Sequence, residues 1–323
     1  MTSAVDSAVL KALGLDESQT SISSHGGSGF SSTFKLSSVV NGEPINYFVK
    51  TGSGENAETM FKGEHASLNA IHEVVPNFCP KSHAHGAMSS GSKKYFLATD
   101  FLDLRAPGPS GSGESIACKL AKLHSTPAPP PEGYDKPLFG FHVSTCCGDT
   151  VQDNSWKESW ASFYAENRLM AILKAGTKEN GHDGELSAAV EKVANKVVPR
   201  LIGDVTIKNI KPVVVHGDLW SGNHSRGQIG GKGGIEEVVF DPSVVYAHSE
   251  YELGIMKMFG GFGSGFFKEY EKLVPRAEPK EEYEDRVMLY ELYHHLNHYA
   301  IFGEGYRGGA MSIMRHLISK YGS

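Results

Sequence analysis

Cysteine is scarce in this chain: 323 residues carry four thiols, Cys79, Cys118, Cys146 and Cys147. That number and spacing exclude a disulfide framework, and the adjacent pair Cys146-Cys147 lacks the spacing of a zinc knuckle. A reducing compartment is the expectation, with the cytoplasm as the location. No apolar run approaches the roughly 18 residues that a membrane span requires. The amino terminus, Met1-Thr2-Ser3-Ala4-Val5-Asp6, has no basic segment followed by an apolar one, so no secretory signal is expected. Positive charge is also in deficit. Lys and Arg number 31 against 37 Asp and Glu, a formal net charge of −6. That balance argues against nucleic acid as the main partner, because a phosphate backbone calls for a basic stripe. No internal repeat is apparent, and the residues carry no signal of oligomeric state.

The chain has ordinary globular composition, 40% hydrophobic and 21% charged, and enough length for one large domain or two lobes. Val5, Val9, Leu10 and Leu13 share one face of a short first helix. Ser23 to Ser32 is a glycine and serine turn. Apolar residues flank Asn41-Gly42 (Phe34 and Leu36 before it, Ile45, Tyr47, Phe48 and Val49 after it), which predicts two strands joined by a turn. Ala57 to Val75 reads as a helix stopped by Pro76. Tyr95 to Leu104 reads as a strand running into a connector, and Ala106 to Ser112 resembles a linker. The proline run Pro127 to Pro131 is read as a spacer. His83-Ala84-His85 is read as loop surface. Beyond residue 113 the pattern turns helical, over Glu114–His124, Trp156–Leu173, Leu186–Ile202 and Glu250–Phe259. A further apolar face runs through Leu289, Leu292, Tyr293, Leu296, Tyr299 and Ala300, and a last helix covers about Gly309–Tyr321. A β-rich first third before a helical remainder is the α+β class. The expected organisation is a small nucleotide-binding lobe, residues 1–104, and a larger helical lobe, residues 105–323.

The most informative stretch is His216-Gly217-Asp218-Leu219-Trp220-Ser221-Gly222-Asn223, with Asp241 after the apolar Val238-Val239-Phe240. An Asp and an Asn five positions apart on a loop after Val213-Val214-Val215 match a phosphotransferase loop. There the Asp accepts a hydroxyl proton, and the Asn and a second Asp hold Mg²⁺. On this reading Asp218 is the base, and Asn223 and Asp241 are hard oxygen ligands suited to Mg²⁺ bound together with the phosphates of ATP. The alternative is that Asp218 and Asp241 merely cap a turn and a helix. Upstream, His25-Gly26-Gly27-Ser28-Gly29 is a candidate phosphate cradle, since glycines let backbone N–H groups approach an anion closely. A surface hairpin explains the same run. Lys50 ends the strand after this loop, where a kinase places the lysine that contacts ATP phosphates. Glu64 lies in the next helix, where it can pair with that lysine. Taken singly, a strand-end lysine and a helix glutamate are solvated charges; their order after the glycine loop gives them meaning.

These residues resemble the fructosamine-3-kinase family, which includes the ketosamine and protein-ribulosamine 3-kinases. His216-Gly-Asp-Leu-Trp-Ser-Gly-Asn223 carries the resemblance most specifically. Phe240-Asp-Pro-Ser243, His248-Ser-Glu-Tyr-Glu-Leu253, Met258-Phe-Gly-Gly261, Leu296-Asn-His298 and Gly305-Tyr-Arg-Gly308 extend it, as do Phe48-Val-Lys50, Met60-Phe-x-x-Glu64 and Phe101-Leu-Asp-Leu104. The resemblance covers nearly the whole chain. It implies a protein-kinase-like fold of the aminoglycoside-phosphotransferase type. It also implies ATP-dependent phosphorylation of the 3-hydroxyl of a ketoamine sugar on a protein lysine or a small amine, after which the sugar is shed and the amine restored. By position, Lys50 and Glu64 take the ion-pair roles, Asp218 the base, and Asn223 and Asp241 the magnesium. The connector at Asp100, Phe101 and Leu102 resembles the hinge where backbone groups meet adenine. One departure is that Gly26 to Thr33 lacks the cysteine that many members carry and that is linked to redox-dependent dimerisation.

Acceptor recognition is less marked. Trp220 can stack on a sugar or its amine, or be a packed core aromatic. His298, within Leu296-Asn-His298, is a candidate hydrogen-bonding group for substrate. The pair His294/His298 is spaced i, i+4, yet no Glu follows the first His as H-E-x-x-H requires, so it is not read as a zinc pair. A metallophosphoesterase is disfavoured because its upstream D-x-H is missing. The remaining alternatives are a kinase of the same fold acting on choline, an aminoglycoside or another amine alcohol, and a nucleotide-binding module without turnover.

Overall fold

The computed structural model describes residues 4–27 and 31–323. Ser28 and Gly29, two members of the predicted cradle, lie outside the described residues. Five strands near the amino terminus form one antiparallel sheet in the order β1-β2-β3-β5-β4. They are β1 (Ser21–Ser24), β2 (Ser32–Val40), β3 (Glu43–Ser53), β4 (Ser82–Ala87) and β5 (Lys94–Asp100). Between β2 and β3 the two-residue turn has positive φ at both Asn41 (53°) and Gly42 (83°), the conformation whose twist matches a hairpin.

Strand alternation explains how this sheet serves the site. Successive side chains point to opposite faces. On one face Leu36, Val49, Phe96 and Ala98 pack with Val9 and Leu10 of α1 (Ser7–Leu13). On the other, Leu97 packs with Ala57 and Phe61 of α2 (Glu55–Val74). Lys50 is directly opposite Leu97 in the β3–β5 register, so it shares the α2 face. Helix α2 starts with Glu55 and Glu58 in its first turn, favourable charges at the positive end of the helix dipole. It ends at Val74; the C-cap Val75, at φ −137° and ψ 85°, lies outside the helical region that the following Pro76 disfavours. His83-Ala84-His85 is not loop surface. It lies in edge strand β4, where the polar sequence conceals a strand held by backbone pairing to β5.

The rest of the chain is mainly helical. Two-residue β6 (Leu102–Asp103) follows the sheet and pairs with β10 (His224–Ile229), which also pairs with β11 (Glu236–Val239). The hairpin of β7 (Thr145–Cys147) and β8 (Thr150–Gln152) was not anticipated. Strand β9 (Val213–Val215) pairs antiparallel with β12 (Val245–Ala247). The helices are α3 (Ile116–Ser125), α4 (Trp160–Phe163), α5 (Ala171–Asn180), α6 (Gly184–Lys192), α7 (Val198–Ile202), α8 (Glu252–Phe259), α9 (Ser264–Leu273), α10 (Tyr283–Phe302) and α11 (Arg307–Tyr321). Wider π-helical turns at Tyr164–Met170 and Val193–Val197 join α4 to α5 and α6 to α7. The predicted helix starting at Trp156 begins four residues later, because Ser159 caps it by accepting from the Ser162 N–H. Helix α9 was also unanticipated: glycines at 260, 261, 263 and 265 hid its start.

The largest apolar core gathers α4 to α7, α10 and α11 around Trp160, Tyr164, Tyr251, Tyr290 and Tyr293. A second links α2 to α3, α8 and α9 through Leu68, Ile71, Leu120 and Leu253. Inside this packing a charged pair is bound in two places. Arg286 donates from Nε and Nη2 to Glu250 at 2.7 and 3.1 Å, with both side chains buried.

Candidate active site

The loop 216–223 leaves β9 and enters β10, and Asp241 stands between β11 and β12. Both strand ends therefore deliver their loops to one place. The first loop is held from behind by Glu252 at the start of α8. Its carboxylate, fully buried, accepts the His216 N–H at 2.5 Å and the Gly217 N–H at 2.9 Å. Burial alone would raise the Glu252 carboxyl; the contact with His124 and the His216 N–H hold it below its ordinary value. Gly217 has φ +81°, and a Cβ there would sit 2.1 Å from the Ser243 carbonyl oxygen. No other residue tolerates that approach.

His216 fastens the two loops to each other. Its Nε2 lies 3.0 Å from the Phe240 carbonyl, and its Nδ1 accepts the Asp218 N–H at 3.3 Å. Those partners assign the proton to Nε2, and burial lowers the imidazole pKa, so the ring is neutral. The Ser243 N–H donates to the His216 carbonyl at 2.8 Å, and the Phe240 N–H donates to the Asn223 carbonyl at 3.1 Å. Asp241 is thereby held at φ +56°, a strained conformation for a residue with a side chain.

Asn223 donates through Nδ2 to the Asp218 carbonyl at 2.9 Å and to Asp218 Oδ2 at 3.3 Å. Its Oδ1 is left as an acceptor. Lys50 Nζ bridges Glu64 at 2.7 Å and Asp241 at 2.5 Å. Burial alone would lower the Lys50 pKa; Asp241 and Glu64 outweigh it and hold the ammonium charged. For Asp241, burial pulls upward and Lys50 wins, so the carboxylate lies below its usual range. Glu64 is displaced upward, by burial first and then by Asp241, against the pull of Lys50. Asp218 is pushed up to about 8, by burial, then by the charges of Asp241 and Glu252. The site thus sets two carboxylates apart, one held ionised and one poised near neutrality.

A cleft of about 440 Å³ opens beside these groups. Phe48, Leu68, Pro80, Leu102, Leu104 and Phe240 give it apolar walls, and Lys50, Glu64 and Asp241 also line it. Asp100 and Leu102 of the connector reach it. Phe101 turns elsewhere: its ring packs against His25 at 5.0 Å and its carbonyl accepts the Gly230 N–H at 2.9 Å. Of the glycine run, Gly27 lines the cleft together with His25, while Gly26 sits at the loop base. There Thr33 Oγ1 donates to the His25 carbonyl at 2.6 Å. Asp241 keeps 51% of its side chain open. Asn223 Oδ1 and this carboxylate are hard oxygens, and that donor set fits a magnesium ion. A larger hollow, about 860 Å³, contains none of these five groups. It touches the chemistry only through His124, whose Nε2 lies 3.5 Å from Glu252.

Trp220 is 38% exposed and meets Phe259 at 5.7 Å between ring centroids. It is therefore not a packed core aromatic. Phe259 leads on to His298 at 5.1 Å, and His298 to Tyr306 at 4.9 Å and Phe302 at 5.6 Å. His298 Nδ1 is 2.8 Å from the His294 carbonyl, which leaves Nε2 for other partners. Sequence reasoning gave no role to Glu252, to the bridging His216, or to Cys147, whose thiol lies 3.8 Å from Asp218 Oδ1. The motif His248-Ser-Glu-Tyr-Glu-Leu253 contained Glu252, and only its two backbone partners identify its task.

The fructosamine kinase family pattern matches residues 1–320. The chain belongs to that family. It is 36% identical to a ketosamine-3-kinase of Mus musculus over 288 residues, 84% of this chain and 87% of the relative. It is 34% identical to a chloroplastic protein-ribulosamine 3-kinase of Arabidopsis thaliana over 269 residues, 83% of this chain and 75% of the relative. Among solved structures, a protein from Thermobifida fusca assigned to the fructosamine-3-kinases superposes with a TM-score of 0.75. It is 23% identical and covers 98% of this chain and 99% of its own. An aminoglycoside phosphotransferase, APH(4)-Ia, in a ternary complex with AMP-PNP and hygromycin B gives 0.54 at 14% identity, over 98% and 97% of the two chains. The fold is therefore the protein-kinase-like fold of the aminoglycoside phosphotransferases, a sheet region followed by a helical region. A family member of this kind is a kinase. Among the described residues no helix is long and apolar enough to cross a membrane.

Proposed function

We propose that this kinase transfers the terminal phosphoryl group of ATP to the 3-hydroxyl of a ketoamine sugar carried by a protein lysine or a small amine, and so initiates deglycation. The observation that carries the reading is the convergence of Lys50, Glu64 and Asp241 in one cleft wall with Asp218 and Asn223 beside them. The mouse and plant relatives supply the acceptor class by their names. The AMP-PNP complex of the more distant APH(4)-Ia supports ATP as donor. The apolar cleft suits adenine, with Leu102 and the Asp100 backbone at its edge and Gly27 of the Gly26-Gly27-Ser28-Gly29 run on the phosphate side. On this reading the division into residues 1–104 and 105–323 separates a nucleotide lobe from an acceptor lobe.

The acceptor hydroxyl hydrogen-bonds to Asp218. As the new phosphorus–oxygen bond forms, its proton passes to the Asp218 carboxylate, whose raised pKa suits a base working near neutrality. Lys50, aimed by Glu64, neutralises phosphate oxygens on the donor. Asn223 Oδ1 and Asp241 would hold Mg²⁺, which supplies further charge neutralisation to the transferred group. Trp220, Phe259 and His298 form an aromatic wall for the sugar and its cationic amine. Four free thiols suit a reducing compartment, for which we propose the cytoplasm. The test is ATP turnover with a ribulosamine, a fructosamine, choline and an aminoglycoside side by side. Either ketoamine should exceed the other two acceptors by at least roughly tenfold in kcat/KM; a preference for choline or the aminoglycoside would reject the assignment.

A further inference from the structure

We propose that Cys147, Asp218 and His294 form a binding site for a divalent cation of the zinc class, and that a cation there withdraws Asp218 from phosphoryl transfer. The blocking role rests on Asp218 being the base; the site itself does not. The three residues come from the end of β7, the loop after β9 and the middle of α10. Their ligand atoms nevertheless all lie within 4.8 Å of one another.

The spacing suits zinc. A tetrahedral zinc ion holds a thiolate sulfur and a carboxylate oxygen roughly 3.5 Å apart, given its usual bond lengths. Cys147 Sγ and Asp218 Oδ1 are 3.8 Å apart already. His294 is 1% exposed, and its Nδ1 is buried without a hydrogen-bond partner. A buried imidazole with an unused nitrogen is costly unless something occupies it. Burial, reinforced by His298 and His295, lowers its pKa to about 3, so the ring is held in the neutral form that ligates metals.

The donor set also separates this site from the magnesium position. Asn223 and Asp241 offer only oxygen, whereas Cys147 and His294 offer sulfur and nitrogen. As the metal bonds form, the Cys147 S–H and the Asp218 O–H bonds break and both protons leave to solvent. One thiolate and one carboxylate then neutralise the dication, so no net charge is buried. Burial, and then the charge of Asp218, push the Cys147 thiol pKa up; Arg168 pulls the other way and favours the thiolate, although it opposes a cation. Asp218 is the one member of the cluster that is not fully buried.

The full chain, free of nucleotide, is titrated with Co²⁺ and then Zn²⁺. One equivalent of cobalt should produce a thiolate-to-cobalt charge-transfer band that zinc bleaches. Cys147→Ser should abolish the band. His294→Asn should weaken cobalt binding at least tenfold, with folding of each variant verified by its melting temperature. Cys146→Ser and Asp241→Asn should retain the band. A missing band in the unaltered chain, or cobalt affinity in Cys147→Ser or His294→Asn equal to that of the unaltered chain, would overturn the site. The optical titration needs no turnover, so it decides the site whatever the acceptor panel gives. With a ketoamine acceptor, zinc should inhibit in competition with the acceptor, and His294→Asn should relieve this at least tenfold. Inhibition unchanged in that variant would overturn the blocking role.

Discussion

At the scale of single residues, the decisive group is Asp218. Its carboxyl is raised to about 8 because burial and the charges of Asp241 and Glu252 disfavour its ionised form. The folded state then binds a proton that the unfolded chain has released. Stability contributed by this proton is fully present below the unfolded pKa, near 4, and is lost as pH rises toward 8. Asp218→Asn removes that penalty. The variant should lose about 10²–10⁴-fold in kcat. Its melting temperature should exceed that of the unaltered protein at pH 8 by more than at pH 5. Thermal melts across that pH range, beside single-turnover rates, check both halves; a pH-independent difference in melting temperature, or a variant with normal kcat, would contradict the assignment. Asp218 and Asn223 were legible because eight contiguous residues carry their pattern. The raised pKa was not, since Glu252 and Asp241 act on it from other parts of the chain.

At the scale of elements, the 216–223 loop is shaped by what stands behind it. Glu252 at the head of α8 satisfies two backbone N–H groups that the turn at Gly217 leaves without partners. Glu252→Gln keeps the volume but offers one acceptor oxygen in place of two. One buried N–H then loses its acceptor, at a cost of about 1–3 kcal/mol. The variant should melt earlier and lose kcat while KM for ATP stays nearly constant. Unaltered melting and kcat would show that the loop stands without this anchor. The helices legible in the sequence were those with long apolar faces, such as α2 and α10. Strand β4 was missed because Ser82–Ala87 has no apolar alternation, and its pairing to β5 uses only backbone. Hairpin β7–β8 was missed because three-residue strands are too short to show a period.

At the scale of the whole molecule, the sheet region and the helical region share an apolar core through α2 and are tied at the site by an ion pair, Lys50 with Asp241, 191 positions apart. A nucleotide that replaces this contact bridges both regions, and it should stabilise the fold by about 2.7 kcal/mol at one hundred times its Kd. AMP-PNP with magnesium should therefore raise the melting temperature of the unaltered chain. Lys50→Ala and Asp241→Asn should each lose most of that shift, and a full shift in either variant would remove that residue from the nucleotide site. By itself the amino-acid sequence determined the fold class, the loop with its Asp and Asn, and the strand lysine paired with a helix glutamate, because each is written in near neighbours and short periods. Only the tertiary structure decided that Lys50 reaches Asp241, that Glu252 holds the loop, and that Cys147 and His294 flank Asp218. Those contacts join distant segments, and their geometry exists only once the cores have closed around them.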